Sequence, residues 1–569
     1  LNYINKDGGA FMINEILGSV LFSIRVLLPF IAIVIVYQVF SSMGSQRRGD
    51  RALIMLRNTL AEKMIPIIYW ENSIGRNRGA DVRLQDDPTV SRDHAVLFRR
   101  AEGWMISDTG SKAGIYLNDE KIRGAHKVKI NDKIRLGSTE LEVLRTDQKI
   151  NSKKSWFFNE KKAAHAIRPG ALLMLVSFFH FLIAISLAFK DRSLYDVYIA
   201  PFILYGVFTF LCWFFYLVTR LVFQRTSFEL ETLGLFLSGT GILLIASDDM
   251  NKMYHQLIAM CIGIVLFCFI IWFLKDIERV AKYNLIIAIA AVVIFVVNLV
   301  FGREVNGSKN WIIIGSTSIQ LSELVKIAFV FVGTSTLERL QTTKNLTGFI
   351  LFSAVCIGSL FLMRDFGTAC IFFVTFLLIS FMRSGSFRTV ILSCSAAGLA
   401  AFMILKFKPY VAERFSTWMH VWDNPEGTGY QQVQVLICSA SGGLFGVGIG
   451  CGIIKKVFAG SSDLMFGLIS EELGIIMAIV LVLSIACLAL YARKVSALSR
   501  STFYSIAACV SSGMLVFQTA LHVLGITDVI PMTGVTLPFL SQGGTSMVSV
   551  WGLLAFIKAA DERTYLIGE

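Results

Sequence analysis

The stretch SSDLMFGLISEELGIIMAIVLVLSIACLALYARK (residues 461–494) decides how the chain is read. Residues 464–492 are long and apolar enough to cross a bilayer as a helix, and the basic pair Arg493 and Lys494 closes the run. Its opening carries three carboxylates, Asp463, Glu471 and Glu472. Charge that enters lipid is costly, so acids at the mouth of a span serve chemistry or a paired scaffold.

Comparable apolar runs recur along the 569 residues, 55% of which are hydrophobic. One span is predicted at 15–40. Others follow at 170–189, 197–222, 229–247, 254–275, 284–301, 320–337, 348–364, 366–382, 388–407, 464–492, 502–523 and 540–560. The chain therefore reads as a polytopic α-helical membrane protein. Its formal charge of +13 fits basic residues gathered in short cytoplasmic loops and calls for no nucleic-acid partner. The first run is too long for a cleaved leader and lacks a small-residue cleavage site, so it reads as an anchor. Residues 1–11 read as an extension upstream of Met12. Eight of the ten cysteines lie inside apolar runs without CxxC spacing, which suits small core residues rather than a zinc site or a disulfide framework.

Orientation follows from charge. QRRGDR (46–51) and KKSWFFNEKK (153–162) flank a polar segment and assign it to the cytoplasm. Counting spans onward puts the basic loops at 223–228, 276–283, 338–347, 383–387 and 493–501 inside, and the connection 408–463 outside. Asp463 then stands at the external face. The expected layout is an anchor (1–44), a cytoplasmic domain (45–165, core 65–145), two extra helices (166–228) and a core of ten spans (229–569) with a large extracellular loop, 408–463.

Within the cytoplasmic segment, short β-runs such as HAVLFRR, GWMISD and TELEVL predict an all-β sandwich. Three ordered pieces stand out: Gly75 and Arg76; Ser91, Arg92 and His94; and Asp108, Gly110, Ser111, Gly114 and Asn118. Together they resemble a forkhead-associated (FHA) domain. The resemblance implies phosphothreonine capture by Arg76, Ser91, Arg92 and Ser111, with Gly75, His94, Gly114 and Asn118 shaping the loops. A phosphothreonine carries nearly two negative charges and three acceptor oxygens, which a guanidinium and a hydroxyl can meet. Ala113 stands where the family usually has Asn, which removes a side chain expected to hold the peptide backbone.

In the membrane region, VNGSKNWIIIGSTSIQLSELVK (305–326), RDFGTA (364–369), GTGYQQVQ (427–434), SGGLFGVGIG (441–450) and GVTLPFLSQGGTS (534–546) follow one another. With SSDLMFGLISEELG, this order resembles the SEDS family of RodA, FtsW and SpoVE. The resemblance implies a ten-helix core and a peptidoglycan glycosyltransferase. It would polymerise lipid II, an undecaprenyl-pyrophosphate disaccharide-pentapeptide, outside the bacterial plasma membrane, beside a class B penicillin-binding transpeptidase. It also implies that Asp463 is the catalytic carboxylate.

The residues support this independently. Glycosidic bond formation needs a base for the acceptor hydroxyl, and Asp463 is placed for it; on residues alone a helix cap fits equally. The departing pyrophosphate needs positive charge or a divalent ion such as magnesium or manganese. Lys326 and Lys309 are candidates for it, and Glu323 is spaced to pair with Lys326 on one helix face. Gln431 and Gln434 could bond to sugar or peptide. Glu471 could line the same cavity as Asp463, with Glu472 directed at another helix. Eight residues of helix rise about 12 Å, beyond the roughly 5–9.5 Å that separates paired glycosidase carboxylates, so a two-carboxylate hydrolase is excluded. The glycines of 441–450 follow no strand and make no nucleotide loop. The alternatives are a lipid II flippase, or a non-catalytic scaffold recruiting division or sporulation proteins.

Overall fold

The computed structural model describes residues 2–45, 53–145, 168–190, 198–221, 227–335, 343–384, 387–407, 416–499 and 501–565, with breaks at 60, 68, 78–79, 101–102, 306–307 and 315–316. The charged flanks 46–51 and 153–162 lie outside the described residues.

Helix α1 (Asn2–Ser45) leads into eleven strands. These are β1 (Ile54–Asn58), β2 (Lys63–Ile67), β3 (Glu71–Gly75), β4 (Val82–Arg83), β5 (Ala95–Arg100), β6 (Gly103–Asp108), β7 (Ile115–Leu117), β8 (Glu120–Ile122), β9 (Ala125–Val128), β10 (Lys133–Leu136) and β11 (Thr139–Leu144). They form two sheets, ordered β2-β1-β11-β10-β7-β8 and β4-β3-β5-β6-β9. Alternation sets the inward faces: Thr139, Leu141 and Val143 of β11 are buried while the residues between them are half-exposed. The sandwich begins earlier than the expected core at 65, because β1 pairs with β11, Leu56 opposite Val143. That pairing links distant segments, so a local reading of 54–58 does not reveal it.

The bundle follows with α2 (Pro169–Ala188), α3 (Ala200–Leu221), α4 (Glu229–Asp248), α5 (Met250–Phe273) and α6 (Ile277–Phe301). An antiparallel set, β12 (Arg303–Val305), β13 (Ser308–Ile314) and β14 (Thr317–Ile319), lies in the connection between the expected spans 284–301 and 320–337. Then come α7 (Leu321–Ser335), α8 (Thr343–Leu362), α9 (Phe366–Ser384), α10 (Phe387–Phe407), α11 (Tyr430–Gly442), α12 (Met465–Glu472), α13 (Ile475–Leu498), α14 (Thr502–Ile526) and α15 (Gly544–Tyr565). Among the described residues nine helices are long and apolar enough to cross a membrane. Helix α4 is buried along its length. Helices α5, α7 and α14 pack against α15, while α1 packs on α2, α4 and α13.

Three expectations change. The run 464–492 is two helices, because Gly474 (φ +89°) turns the chain and a Cβ there would lie 2.2 Å from the Leu444 carbonyl oxygen. The connection 408–463 is not simply a loop, since α11 lies within it and packs along α12. The last span begins at Gly544 rather than 540, after an irregular segment that contains Pro538. The sandwich touches the bundle where Trp70 meets Tyr504 edge-on, ring centroids 6.4 Å apart.

Candidate functional site

Residues 443–463 form a strap over α12, and the two glutamates at the end of that helix hold it down. The carboxylate oxygens of Glu471 accept the backbone N–H groups of Ile453 and Ile454, each at 2.9 Å. Glu472 accepts from the Ser247 hydroxyl of α4 at 3.2 Å and from the Gly452 N–H at 3.3 Å, with Lys455 Nζ at 3.7 Å. Both glutamates are buried. Glu471 is thus spent on the strap backbone rather than turned to a shared cavity with Asp463, and Glu472 reaches another helix.

At the end of the strap the Ala459 carbonyl accepts the N–H groups of Asp463 (3.0 Å) and Leu464 (3.2 Å), which turns the chain into α12. The N-cap position of α12 is Leu464, and no side chain caps the helix. The Asp463 carboxylate is therefore not used as a cap. One of its oxygens lies 3.5 Å from where a Cβ on Gly534 would stand, which sets it against the 534–543 segment. No Lys or Arg forms an ion pair with it among the described residues. Burial pushes its pKa up to about 6; the Ser462 hydroxyl partly offsets this and the nearby Asp365 carboxylate adds to it.

Asp365 opens α9. It accepts the Thr368 N–H at 3.0 Å, Gln320 Nε2 at 3.2 Å and a short bond from Asn310. Buried Asn310 also donates to Ser322 at 2.8 Å and accepts from Asn298. Asp365 is thereby held facing the Asp463 region by Asn310 of β13 and by Gln320 between β14 and α7, while its neighbour Arg364 pairs with Glu304.

The 534–543 segment is sewn down on several sides. Ser461 Oγ donates to Gln542 (2.8 Å) or Asp248 (3.1 Å), and Ser541 Oγ donates to the Ser462 carbonyl at 2.6 Å. His522 of α14 donates from Nδ1 to the Val535 carbonyl (2.7 Å) and accepts the Phe466 N–H at Nε2 (3.3 Å). Lys326 is buried; its ammonium donates to Glu323 (2.7 Å) and to Gln518 (2.9 Å), and Gln518 donates onward to the Thr536 carbonyl at 2.9 Å. Ser549 supplies a bond to the other Glu323 oxygen at 3.2 Å. The expected Glu323–Lys326 pair is present inside a closed network that supports Thr536. Lys309 is exposed and donates to the Leu299 carbonyl at 3.0 Å. Gln431 donates to the Phe458 carbonyl at 3.0 Å, and Gln434 is half-buried on α11. Asn310, Gln518 and His522 were missed from sequence; for Gln518 and His522 a polar side chain within an apolar run is the available signal.

In the sandwich, buried His94 accepts the Ser91 N–H at Nδ1 (3.1 Å) and donates from Nε2 to the Gly114 carbonyl (3.1 Å), bridging two loops. Ser91 Oγ accepts the Lys112 N–H at 3.1 Å, and Ser111 Oγ accepts the Gly114 N–H at 3.0 Å. A Cβ at Gly75 would meet the Arg92 carbonyl at 2.2 Å, so only Gly lets these loops close. Arg76 and Arg92 are exposed beside them. Asn118 (φ +50°) donates to Asp132 at 3.0 Å and accepts the Lys133 N–H at 2.9 Å, fixing its turn.

Comparison with known proteins agrees with both halves. The family described as cell cycle protein, FtsW/RodA/SpoVE, matches residues 220–565, and the FHA domain matches 72–137. The peptidoglycan glycosyltransferase RodA of Mycobacterium bovis is 28% identical over 353 residues, covering 56% of this chain and 75% of that protein. A probable peptidoglycan glycosyltransferase FtsW of Buchnera aphidicola is 29% identical over 354 residues, covering 59% and 88%. A solved chain from a peptidoglycan synthase complex that coordinates polymerization and crosslinking superposes with a TM-score of 0.51 at 21% identity, covering 60% of this chain and 99% of that one, and so shares the fold. The chain belongs to the FtsW/RodA/SpoVE family and carries an FHA domain ahead of the family core.

Proposed function

We propose that this protein is a peptidoglycan glycosyltransferase that polymerises lipid II at the outer face of the bacterial plasma membrane, with Asp463 as its general base. The observation that carries the reading is the Asp463 carboxylate itself: half-buried, without an ion-paired cation among the described residues, and not used as a helix cap. A carboxylate whose pKa is pushed up to about 6 is ionised at neutral pH yet basic enough to draw a proton. In the step, the acceptor hydroxyl oxygen bonds to the anomeric carbon of the donor while the bond from that carbon to the pyrophosphate oxygen breaks. The hydroxyl proton passes to Asp463, and the negative charge leaves with the pyrophosphate.

Among the described residues no group of three or more His, Cys, Asp or Glu side chains could cage a metal. Lys326 acts through Gln518 by holding Thr536, within the segment that faces Asp463. The outward placement rests on the basic loops, and the partner is a class B penicillin-binding transpeptidase. The FHA domain reads a phosphothreonine on a cytoplasmic protein through Arg76 and Ser91 and thereby regulates the enzyme. The test is purified full-length protein, reconstituted with its transpeptidase and given labelled lipid II, compared with Asp463→Ala. Glycan chains from the wild type alone support the reading. Translocation without polymer by the wild type overturns it in favour of a flippase.

A further inference from the structure

We propose that helix α1, which lies outside the region shared with the family, braces the strap that carries Asp463, and that Arg25 is its positioning residue. The inference deepens the glycosyltransferase reading and rests on it. Arg25 lies within the apolar stretch Glu15–Met43, where a cation needs a specific partner. Its Nη1 donates to the Gly446 carbonyl at 2.7 Å, and its guanidinium carbon lies 3.8 Å from where a Cβ on Gly448 would stand. The guanidinium thus covers the 446–448 turn.

From that turn a continuous chain of bonds leads to Asp463. Gly446 (φ +81°) donates its N–H to the Gly442 carbonyl at 2.8 Å, and a Cβ there would sit 2.3 Å from the Glu472 carbonyl oxygen. Val447 and Gly448 donate to the carbonyls of Glu471 (2.8 Å) and Glu472 (3.1 Å). The side chains of the same two glutamates then hold residues 452–454. Val457 donates to the Ile454 carbonyl, Gly460 to that of Val457, and Asp463 to that of Ala459, at 2.9, 3.0 and 3.0 Å. The end of helix α2 adds to the brace: side-chain carbons of Leu187, in its last turn, and of Lys190, just beyond it, lie 3.3–3.5 Å from the Cβ position of Gly450. A charge-assisted bond at one end of so closely tied a strap restrains its other end, where the carboxylate must meet an acceptor hydroxyl.

The test compares full-length wild type, Arg25→Leu and Arg25→Lys in lipid vesicles. One arm reads amide hydrogen exchange over residues 446–463, and the other reads steady-state polymerisation of labelled lipid II. In Arg25→Leu the strap amides are expected to exchange about tenfold faster while α14 is unchanged. Its kcat is expected to fall about tenfold with KM within about twofold, because substrate is still bound but the base is poorly aligned. Arg25→Lys, which keeps a donor, should recover most of both. Unchanged strap exchange in Arg25→Leu overturns the brace, as does faster exchange with wild-type kcat. If Arg25→Leu does not fold, loss of kcat in Arg25→Lys without any change in strap exchange overturns it. If the wild type forms no polymer, the glycosyltransferase reading fails, and the exchange arm still decides whether Arg25 holds the strap.

Discussion

Asp463 owes its character to what surrounds it more than to its residue type. A carboxylate at a helix start is ordinarily a cap, but here Leu464 takes that position and the side chain is left facing Gly534. Raised by burial, it titrates near 6 rather than near the ordinary 3.8. If Asp463 is the general base proposed above, its ionised form accepts the proton and the rate is expected to rise with pH through about 6 and then level off; a pH–rate profile checks this, and an acid limb near 4 would contradict it. The stability effect has the opposite sign. A raised carboxylate pKa means the folded state holds the proton more tightly than the unfolded chain, so stability falls as pH rises from 3.8 to about 6. Asp463→Asn should therefore unfold at a higher temperature than the wild type at pH 7 while losing activity. Asp463 and the Glu323–Lys326 pair were legible in the sequence because ionisable groups beside or inside apolar runs announce themselves. The task of Glu471 was not, because its partners are backbone N–H groups of Ile453 and Ile454, and no residue type encodes those.

Among the elements, the membrane spans were legible from apolar length alone, whereas the break between α12 and α13 was not. Gly474 turns there against the carbonyl of Leu444, a contact visible only once the strap is folded. Gly474→Val is expected to prevent correct assembly of the strap, read as loss of monodisperse protein on detergent extraction; normal yield and activity would count against the tight turn. The Lys326 network joins α7, α14 and the segment before α15. Lys326→Met leaves Glu323 buried without its cation and should cost about 3–5 kcal/mol. The double variant Lys326→Met with Glu323→Gln should recover most of that stability in thermal unfolding. No recovery would mean that Lys326 is held for another partner. In the sandwich, burial works against the charge of Asp87, but bonds from Thr89, Ser138 and Thr139 outweigh it and hold its pKa well below the usual carboxylate range. Asp87→Ala should loosen this end of the domain, seen as faster hydrogen exchange at Thr89 and Ser138 and little change in the bundle.

For the whole molecule, two units were legible by the order of their motifs: Gly75-Arg76, Ser91-His94 and Ser111-Gly114 for the sandwich, and the loop sequence from 305 to 546 for the bundle. How they meet was not, because Trp70 against Tyr504 is one ring on another and leaves no pattern in either segment. If the FHA domain reads phosphothreonine, Arg76→Ala should weaken binding of a phosphothreonine peptide to the full chain by about tenfold or more, measured by titration calorimetry. Unaltered binding would move the site elsewhere. The proposed chemistry requires the strap, the 534–543 segment and α9 to converge on one carboxylate, and that requirement can be tested at a single position. The deciding measurement is the glycan ladder made from labelled lipid II by purified full-length protein with its transpeptidase, wild type beside Asp463→Asn at equal folded amount. Polymer from the wild type, and at least about a hundredfold less from the variant, is the expected result; equal ladders from both would show that Asp463 is not the base.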